Sequence, residues 1–195
     1  MKRSSFLVLV LVLVTILFVG FSAAQSARAD DPQVILHTSM GDITLTLDPE
    51  HAPISTANFL KYVDQHKYDG TIFHRIIPGF MVQGGGFKPD MTEIDYLPPI
   101  HNEASNGLHN VRGTISMART SDPESATAQF FLNLVNNSDK LDPNPNGDPN
   151  GYAVFGRITA GLVVIDKMAE QPTTTVGQFE NVPVKPITLI SATRK

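Results

Sequence analysis

Residues 73–86 read FHRIIPGFMVQGGG, and this run is the most informative part of the chain. Two short strands, 71–77 and 80–84, are predicted on either side of Pro78-Gly79, because both are rich in apolar and β-branched residues and a turn pair separates them. The run also places a cation, Arg75, among mostly apolar side chains. A cation in such a run needs a buried partner or a ligand, so Arg75 marks a candidate site.

Short strands account for most of the remaining regular structure that the sequence predicts. They are expected at 34–38, 42–47, 111–118, 128–135, 152–158 and 187–192. Helical spacing is found only from Pro53 to Asp69-Gly70 and over 162–169. Because strands and helices do not alternate as βαβ units, the pattern favours an antiparallel barrel or sandwich. The polar segments 87–110 and 136–151 are predicted to be loops, and loops of this length are usually functional.

Composition limits the classes of protein that the chain can belong to. With 195 residues and 42% hydrophobic content, it can form one domain with a full core. It has no Cys, which excludes disulfides and thiolate chemistry. Its formal net charge of −4 makes nucleic-acid binding a poor hypothesis.

No cofactor or metal site is expected. The six His residues form no i, i+4 or H-x-H pair that would point to zinc. The run from Asp142 to Gly147 resembles the start of a calcium loop, but the twelfth position is Ala153 rather than Glu and prolines interrupt it. We therefore interpret this run as a turn-rich loop.

The first 29 residues have the layout of an export signal. A basic start (Lys2, Arg3) precedes the uncharged apolar run 6–21, and Ala27-Arg28-Ala29 is a candidate cleavage site before Asp30. Cleavage after Ala24 is the alternative. The apolar run is shorter than the ~20 residues of a comfortable membrane span, although an uncleaved anchor remains a second alternative. We expect a domain at 30–195 that is periplasmic or secreted.

Strand periodicity sorts the side chains of QFFLNL at 129–134 into two faces. One face is wholly apolar and is predicted to point into the core: Phe130, Leu132 and Leu134. The other mixes amides with an aromatic ring, as a binding groove would: Gln129, Phe131 and Asn133. The same rule groups Phe73, Arg75 and Ile77. On this pattern alone, the favoured interpretation makes Phe131 and Met81 core residues and Arg75 the partner in a surface ion pair.

The run HRIIPGFMVQGG resembles the signature segment of the cyclophilins, the peptidyl-prolyl cis/trans isomerases. Three further motifs follow in cyclophilin order: GTISMAR at 113–119, QFFLNL at 129–134 and YAVFGRI at 152–158. The resemblance covers nearly all of 34–192. With its leader, the chain is most similar to the periplasmic cyclophilins of Gram-negative bacteria. It implies a mainly β fold, a closed eight-stranded antiparallel β-barrel capped by two helices, with the active groove on its outer face.

The resemblance also implies roles for individual residues. Arg75 aligns with the catalytic arginine, and His74 beside it is interpreted as structural. Arg119 stands where many relatives carry Asn, at a place where main-chain atoms grip the substrate. The substrate-binding positions implied are Phe80, Met81, Gln83, Ala118, Arg119, Gln129, Phe131, Leu141 and Tyr152.

One position departs from the family pattern. Lys140 lies before the pocket residue Leu141, where many eukaryotic members carry a Trp that helps to bind cyclosporin. Weak cyclosporin binding is therefore expected, with activity retained.

Two functions fit these residues. The first is an isomerase that accelerates rotation about X–Pro bonds and assists the folding of exported proteins. The alternative is a proline-segment binding module or holdase chaperone that uses the same groove without turnover. In either case the expected partners are proline-containing peptides and unfolded exported proteins, and the expected state is a monomer.

Overall fold

The computed structural model describes residues 31–195, so the predicted export signal lies outside the described residues. The helices are α1 Pro53–Asp64, α2 Ser138–Leu141 and α3 Leu162–Ala169. The first seven strands are β1 Gln33–Thr38, β2 Gly41–Leu47, β3 Thr71–Ile72, β4 Arg75–Ile77, β5 Met81–Gly84, β6 Thr114–Met117 and β7 Phe130–Asn133. The last four are β8 Val154–Ala160, β9 Thr173–Val176, β10 Phe179–Pro183 and β11 Thr188–Arg194.

Nine of these strands form one antiparallel sheet in the order β3-β11-β1-β2-β8-β6-β7-β5-β4. Its two edge strands, β3 and β4, are consecutive in the chain and only Phe73-His74 separates them. The sheet therefore curls until both of its edges belong to the single run 71–77. If this run is counted as one interrupted strand, the number of strands is the predicted eight, and the mainly β antiparallel fold is confirmed.

The core lies inside the curled sheet, and helices cover it. Along β1 the side chains alternate between partly exposed and buried, as expected for a strand with one face towards a core. From α1, the ring of Phe59 packs against Tyr68, Phe130 and Phe155 at centroid distances of 5.2, 5.5 and 5.3 Å. Burying one such side chain is worth about 1.5–3 kcal/mol. None of the helices in 31–195 is long and apolar enough to cross a membrane.

The interruption of the strand at 73–74 corrects one sequence-based prediction. Phe73 was grouped with Arg75 and Ile77 because all three are two residues apart. Phe73 instead lies in the core, 1% exposed, with its ring 6.2 Å from Phe130. Residues 73–74 are not in a strand, so the two-residue alternation does not continue through them. Phe73 therefore does not share the face of the sheet on which Arg75 lies.

Three elements were not predicted from the sequence. The short helix α2 lies within the segment interpreted as a loop, and β9 and β10 form a separate two-stranded hairpin. Neither hairpin strand has the alternation of buried and exposed residues that identifies strands, because β9 is mostly exposed and the buried residues of β10, Val182 and Pro183, are adjacent. Val176 and Phe179 pair across the hairpin end, and Gly177 takes a φ of +58°, which suits a tight turn.

The long loop 87–110 is held against α1. The helix has no side-chain cap of its own, since Ala52 is the N-cap residue. Glu103 supplies the missing acceptor, because its carboxylate accepts hydrogen bonds from the backbone N–H groups of Ile54 (2.9 Å) and Ser55 (2.7 Å). A carboxylate at this end also complements the helix dipole.

Candidate active site

A second apolar cluster lies apart from the core, on the outer face of the sheet. Its buried members are Met81, Ala118, Phe131 and Leu141, and the side chains of Ile77, Phe80 and Tyr152 pack against them. All of them except Ile77 line a partly open cavity of about 150 Å³. A cavity of about this volume can hold one small ring.

The structure brings nine of the ten predicted site residues to the wall of this cavity. They are Arg75, Phe80, Met81, Gln83, Ala118, Arg119, Phe131, Leu141 and Tyr152. The tenth, Gln129, lines the two neighbouring cavities. Phe130 and Leu132 point the other way and lie in the main core, as the strand periodicity predicted.

Strand register explains why these side chains meet. Arg75 on β4 lies opposite Gln83 on β5, and Gln83 lies opposite Phe131 on β7. Residues directly opposite in adjacent strands share a face of the sheet. The three side chains therefore form one row across the outer face of the sheet.

Arg75 has no acidic partner among the described residues. Its Nη1 donates a hydrogen bond to Oε1 of Gln83 at 3.3 Å, and no carboxylate in 31–195 lies within ion-pair distance. The surface ion-pair interpretation of Arg75 is therefore wrong. Its remaining donors are available to a ligand at the edge of the apolar cavity.

A chain of hydrogen bonds continues from Arg75 along the groove. Nε2 of Gln83 donates to Oε1 of Gln129 at 2.9 Å, and Nε2 of Gln129 donates to the Tyr96 hydroxyl at 3.2 Å. That hydroxyl donates to the carbonyl of Gly86 at 3.2 Å. Burial raises the pKa of Tyr96, so its hydroxyl keeps the proton that it donates.

Sequence reasoning missed Tyr96. It lies in the polar loop 87–110, where no strand or helix period assigns a side chain to a face. The only available signal was the presence of a tyrosine in the interior of a long polar loop.

His74 is buried next to Arg75. Its ring lies against Phe87, with centroids 4.6 Å apart, and its Nδ1 has no hydrogen-bond partner. Desolvation, and secondarily the charge of Arg75, lower the pKa of His74 to about 4. The ring is therefore neutral at physiological pH, which agrees with the structural role expected for it.

A buried polar network supports the cavity from below. Its central side chains are those of Asn110, Ser116, Asn133 and Asn137. Nδ2 of Asn110 donates to the backbone carbonyl of Tyr152 at 3.0 Å, and Nδ2 of Asn137 donates to that of Phe80 at 2.9 Å. Two parts of the cavity wall are thus held by the same network.

Asp142 connects this network to α2. Its Oδ1 accepts hydrogen bonds from the backbone N–H and Nδ2 of Asn110, both at 2.9 Å. Burial opposes its ionisation, but the hydrogen bonds from Asn110 and His109 outweigh burial and lower the pKa of Asp142. The carboxylate therefore stays charged, and its hydrogen bonds hold Asp142, which directly follows the pocket residue Leu141, against Asn110.

Two further cavities extend the groove. One, of about 310 Å³, includes Glu93, Tyr96 and Gln129 in its wall. The other, of about 400 Å³, lies between Arg75 and residues 178–181 of the β9–β10 hairpin, whose Phe179 packs edge-on against Phe87 at 5.0 Å. Gln83 lines all three cavities, so a bound peptide can continue past the ring-sized cavity.

The side chain of Arg119 bonds to the protein, and the substrate contact expected through its main-chain atoms stays a prediction. The residue lines the ring-sized cavity, but its side chain is 4% exposed and its donors bond to protein groups on the segment 148–151 and to Thr120. Lys140 lies on the outside, with Nζ 5.9 Å from the centre of the Phe80 ring. Within 31–195, no group of three or more His, Cys, Asp or Glu side chains could hold a metal ion.

These features define a peptide-binding domain with an apolar pocket for one small ring and, at its edge, an arginine that has no acidic partner within 31–195. The family model for cyclophilin type peptidyl-prolyl cis-trans isomerase/CLD matches residues 33–194. The chain belongs to the cyclophilin-type peptidyl-prolyl cis-trans isomerases.

Similar proteins come from several bacteria. The chain is 50% identical over 179 residues to peptidyl-prolyl cis-trans isomerase A of Dickeya dadantii (strain 3937), which covers 92% of this chain and 93% of that protein. It is 48% identical over 178 residues to a peptidyl-prolyl cis-trans isomerase of Acinetobacter baylyi, which covers 91% and 93%. It is 44% identical over 160 residues to peptidyl-prolyl cis-trans isomerase B of Escherichia coli (strain K12), which covers 82% and 98%.

The fold is similar to that of a solved isomerase. The crystal structure of a cyclophilin type peptidyl-prolyl cis-trans isomerase of Cryptosporidium parvum aligns with a TM-score of 0.70 and 25% identity, covering 85% of this chain and 98% of that chain. A second structure of that protein, determined in the presence of the dipeptide Ala-Pro, aligns with a TM-score of 0.69.

Proposed function

We propose that the protein isomerises X–Pro bonds in incompletely folded exported proteins, with Arg75 as the catalytic residue and the 150 Å³ cavity as the proline pocket. The observation that carries the proposal is that Arg75, which has no acidic partner in 31–195, lies at the edge of an apolar cavity of ring size. The Ala-Pro dipeptide named for the solved relative supports the same ligand class.

The chemistry requires only one charged donor. Rotation about a peptide bond breaks amide resonance and has a barrier of ~18–20 kcal/mol. In the twisted transition state the nitrogen becomes pyramidal and regains its lone pair. A donor aimed at this nitrogen stabilises the twisted state more than the planar one, which is differential binding. The guanidinium of Arg75 suits this task because it is always protonated and its donors are fixed in a plane.

Arg75 cannot act alone. An acceleration of five decades would need about 7 kcal/mol, whereas one hydrogen bond to a charged group contributes about 1.5–3 kcal/mol. The remainder must come from holding the proline ring between Phe80, Met81 and Phe131 while the flanking carbonyl is restrained. Gln83 keeps the guanidinium at the cavity edge during this step.

An exported location is supported by the pattern of residues 1–29. N-terminal sequencing of protein recovered from the periplasm or medium should give a start at Asp30 or, for the alternative cleavage site, Gln25. Recovery of the uncleaved chain from the cytoplasm alone would contradict export.

The activity test uses NMR exchange on an Ala-Pro peptide with the purified protein and its Arg75→Ala and Arg75→Lys variants. Acceleration by the parent that falls about 10- to 100-fold in a still-folded Arg75→Ala variant is expected. Arg75→Lys should recover little, because an ammonium lacks the planar donors. Peptide binding by the parent without faster exchange would instead support the proline-binding module.

A further inference from the structure

The side chain of Arg119 is fully occupied by the protein itself. Its Nε and Nη2 both donate to the carbonyl oxygen of Gly151, at 3.0 and 2.9 Å, and its Nη1 donates to that of Thr120 at 2.9 Å. Nη2 also forms an ion pair with the carboxylate of Asp148. Every nitrogen of this guanidinium is therefore engaged before any substrate arrives.

Two of the three partners of Arg119, Asp148 and Gly151, belong to the segment 142–151, which connects two walls of the proline pocket. Leu141 precedes the segment and Tyr152 follows it, and both line the cavity. The backbone N–H of Tyr152 donates to the carbonyl of Leu141 at 2.8 Å, which closes the segment at its base. Anchoring the segment therefore fixes both walls.

Asp148 is the anchor point within this segment. Its carbonyl accepts from the N–H of Asn144 at 2.8 Å, and its carboxylate accepts from the N–H of Asn150 at 2.9 Å. Burial opposes ionisation of Asp148, but the hydrogen bonds from Asn150 and Arg119 outweigh burial and lower the pKa of Asp148. A charged Asp148 thus joins the segment's internal bonds to the buried guanidinium.

Backbone geometry at Gly151 permits the second contact. Gly151 has a φ of +57°, and a Cβ at this position would lie 2.5 Å from the nitrogen of Pro143. Only glycine fits both the left-handed conformation and this close approach. The carbonyl of Gly151 is thereby able to accept two bonds from Arg119.

Arg119 also reaches the pocket wall through Tyr152. Its guanidinium carbon lies 4.4 Å from the centre of the Tyr152 ring, within the range of a cation–π contact. That ring in turn packs edge-on against Phe131, with centroids 5.8 Å apart. Arg119 therefore contacts the anchored segment on one side and the aromatic wall on the other.

We propose that Arg119 and Asp148 form a clamp that holds the segment 142–151 and thereby positions Tyr152 and Leu141 for proline binding. Arg119 is thus a positioning residue whose side chain acts through the pocket wall, and Asp148 is its partner. The consequence for catalysis rests on the proposed isomerase function, whereas the ordering of the segment does not.

A variant of Asp148 distinguishes an effect of the clamp from an effect of direct contact between Arg119 and the substrate. It lies outside the wall of the ring-sized cavity, whereas Arg119 lines it. Asp148→Asn therefore weakens the ion pair without altering the lining of the cavity. Asp139→Asn is the matched control, because Asp139 is an exposed acid on the neighbouring α2 and its loss changes the net charge equally.

The test combines amide hydrogen exchange with kinetics on an Ala-Pro peptide for Asp148→Asn, Arg119→Gln and the double variant. Exchange at Asn144 and Tyr152 is expected to become about 10-fold faster in Asp148→Asn. KM should rise about 3- to 10-fold with kcat changed less, and the double variant should be no worse than Arg119→Gln alone. Asp139→Asn should behave as the parent does.

Unchanged exchange and unchanged KM in Asp148→Asn would overturn the proposal, as would additive effects in the double variant. A defect in Arg119→Gln without any defect in Asp148→Asn would also overturn it, because it would show that Arg119 acts without Asp148. If the parent has no isomerase activity, the proposed function fails, and hydrogen exchange in the segment still decides whether the clamp exists.

Discussion

Arg75 and Gln83 lie opposite each other on β4 and β5, and the guanidinium Nη1 of Arg75 donates to Oε1 of Gln83 at 3.3 Å. This hydrogen bond joins a guanidinium that has no acidic partner in 31–195 to a chain of amide and hydroxyl groups that ends at the backbone of Gly86. The position of the cation is therefore set by neutral partners, which leave its charge uncompensated for the substrate.

The chain of hydrogen bonds predicts a role for Tyr96. Tyr96→Phe removes the group that accepts from Gln129 and donates to Gly86. Loss of one such neutral link costs about 0.5–1.5 kcal/mol, so kcat/KM for an Ala-Pro peptide should fall about 3- to 10-fold. The free energy of unfolding, measured in urea, serves as the control and should fall by no more than a similar amount, so that the variant stays folded. An unchanged kcat/KM would show that Gln83 and Gln129 hold Arg75 without this link.

Burial of neutral His74 predicts a pH dependence of stability. Its pKa is lowered from 6.5 to about 4 in the folded protein, so the unfolded chain binds more protons between these values. The stabilising contribution is present above pH 6.5 and is lost as pH falls towards 4, with an upper limit of about 3 kcal/mol. Urea unfolding of the parent and of His74→Phe at a series of pH values measures it. The variant should show a shallower loss, and equal slopes would contradict this account.

The buried network predicts a large effect at Asn133. Its Nδ2 donates to the hydroxyl of Thr114 at 2.9 Å, and its Oδ1 accepts from Nδ2 of Asn137 at 2.7 Å. Asn133→Leu removes both hydrogen bonds and places an apolar side chain inside the buried polar network, so the free energy of unfolding should fall by about 2–4 kcal/mol. Chemical denaturation gives this value, and the exposed Asn146→Ala is the control. A loss similar to that of the control would show that the network relaxes.

Weak cyclosporin binding remains a prediction that depends on Lys140. This residue lies against the outside of Phe80 and presents an ammonium where an indole N–H is expected in high-affinity relatives. Isothermal titration calorimetry should show weak binding by the parent and at least about 10-fold tighter binding by Lys140→Trp, equivalent to about 1.4 kcal/mol. Lys185→Trp, at an exposed position of 31–195 outside the pocket wall, controls for added apolar surface. A tight complex with the parent would show that Lys140 is not decisive.

The amino-acid sequence by itself determined the antiparallel β class, the helix at 162–169, and the separation of Phe130 and Leu132 from Phe131. These follow from strand and helix periods, which are local and record which side of an element is buried. The run 73–86 likewise indicated Arg75, because a cation among apolar residues is informative without knowledge of its neighbours. The family resemblance then predicted the pocket residues, nine of which the structure brings to the wall of one cavity.

Only the tertiary structure decided which side chains are partners. The division of 71–77 into β3 and β4, which returned Phe73 to the core, depends on pairing with β11 on one side and β5 on the other. Gln129 and Tyr96 are 33 residues apart in the chain, and Arg119 and Asp148 are 29 apart. Contacts at such separations depend on how the sheet curls and how its loops return across it. Local periodicity does not contain that information, and for this reason Tyr96 and the clamp could be identified only in the folded chain.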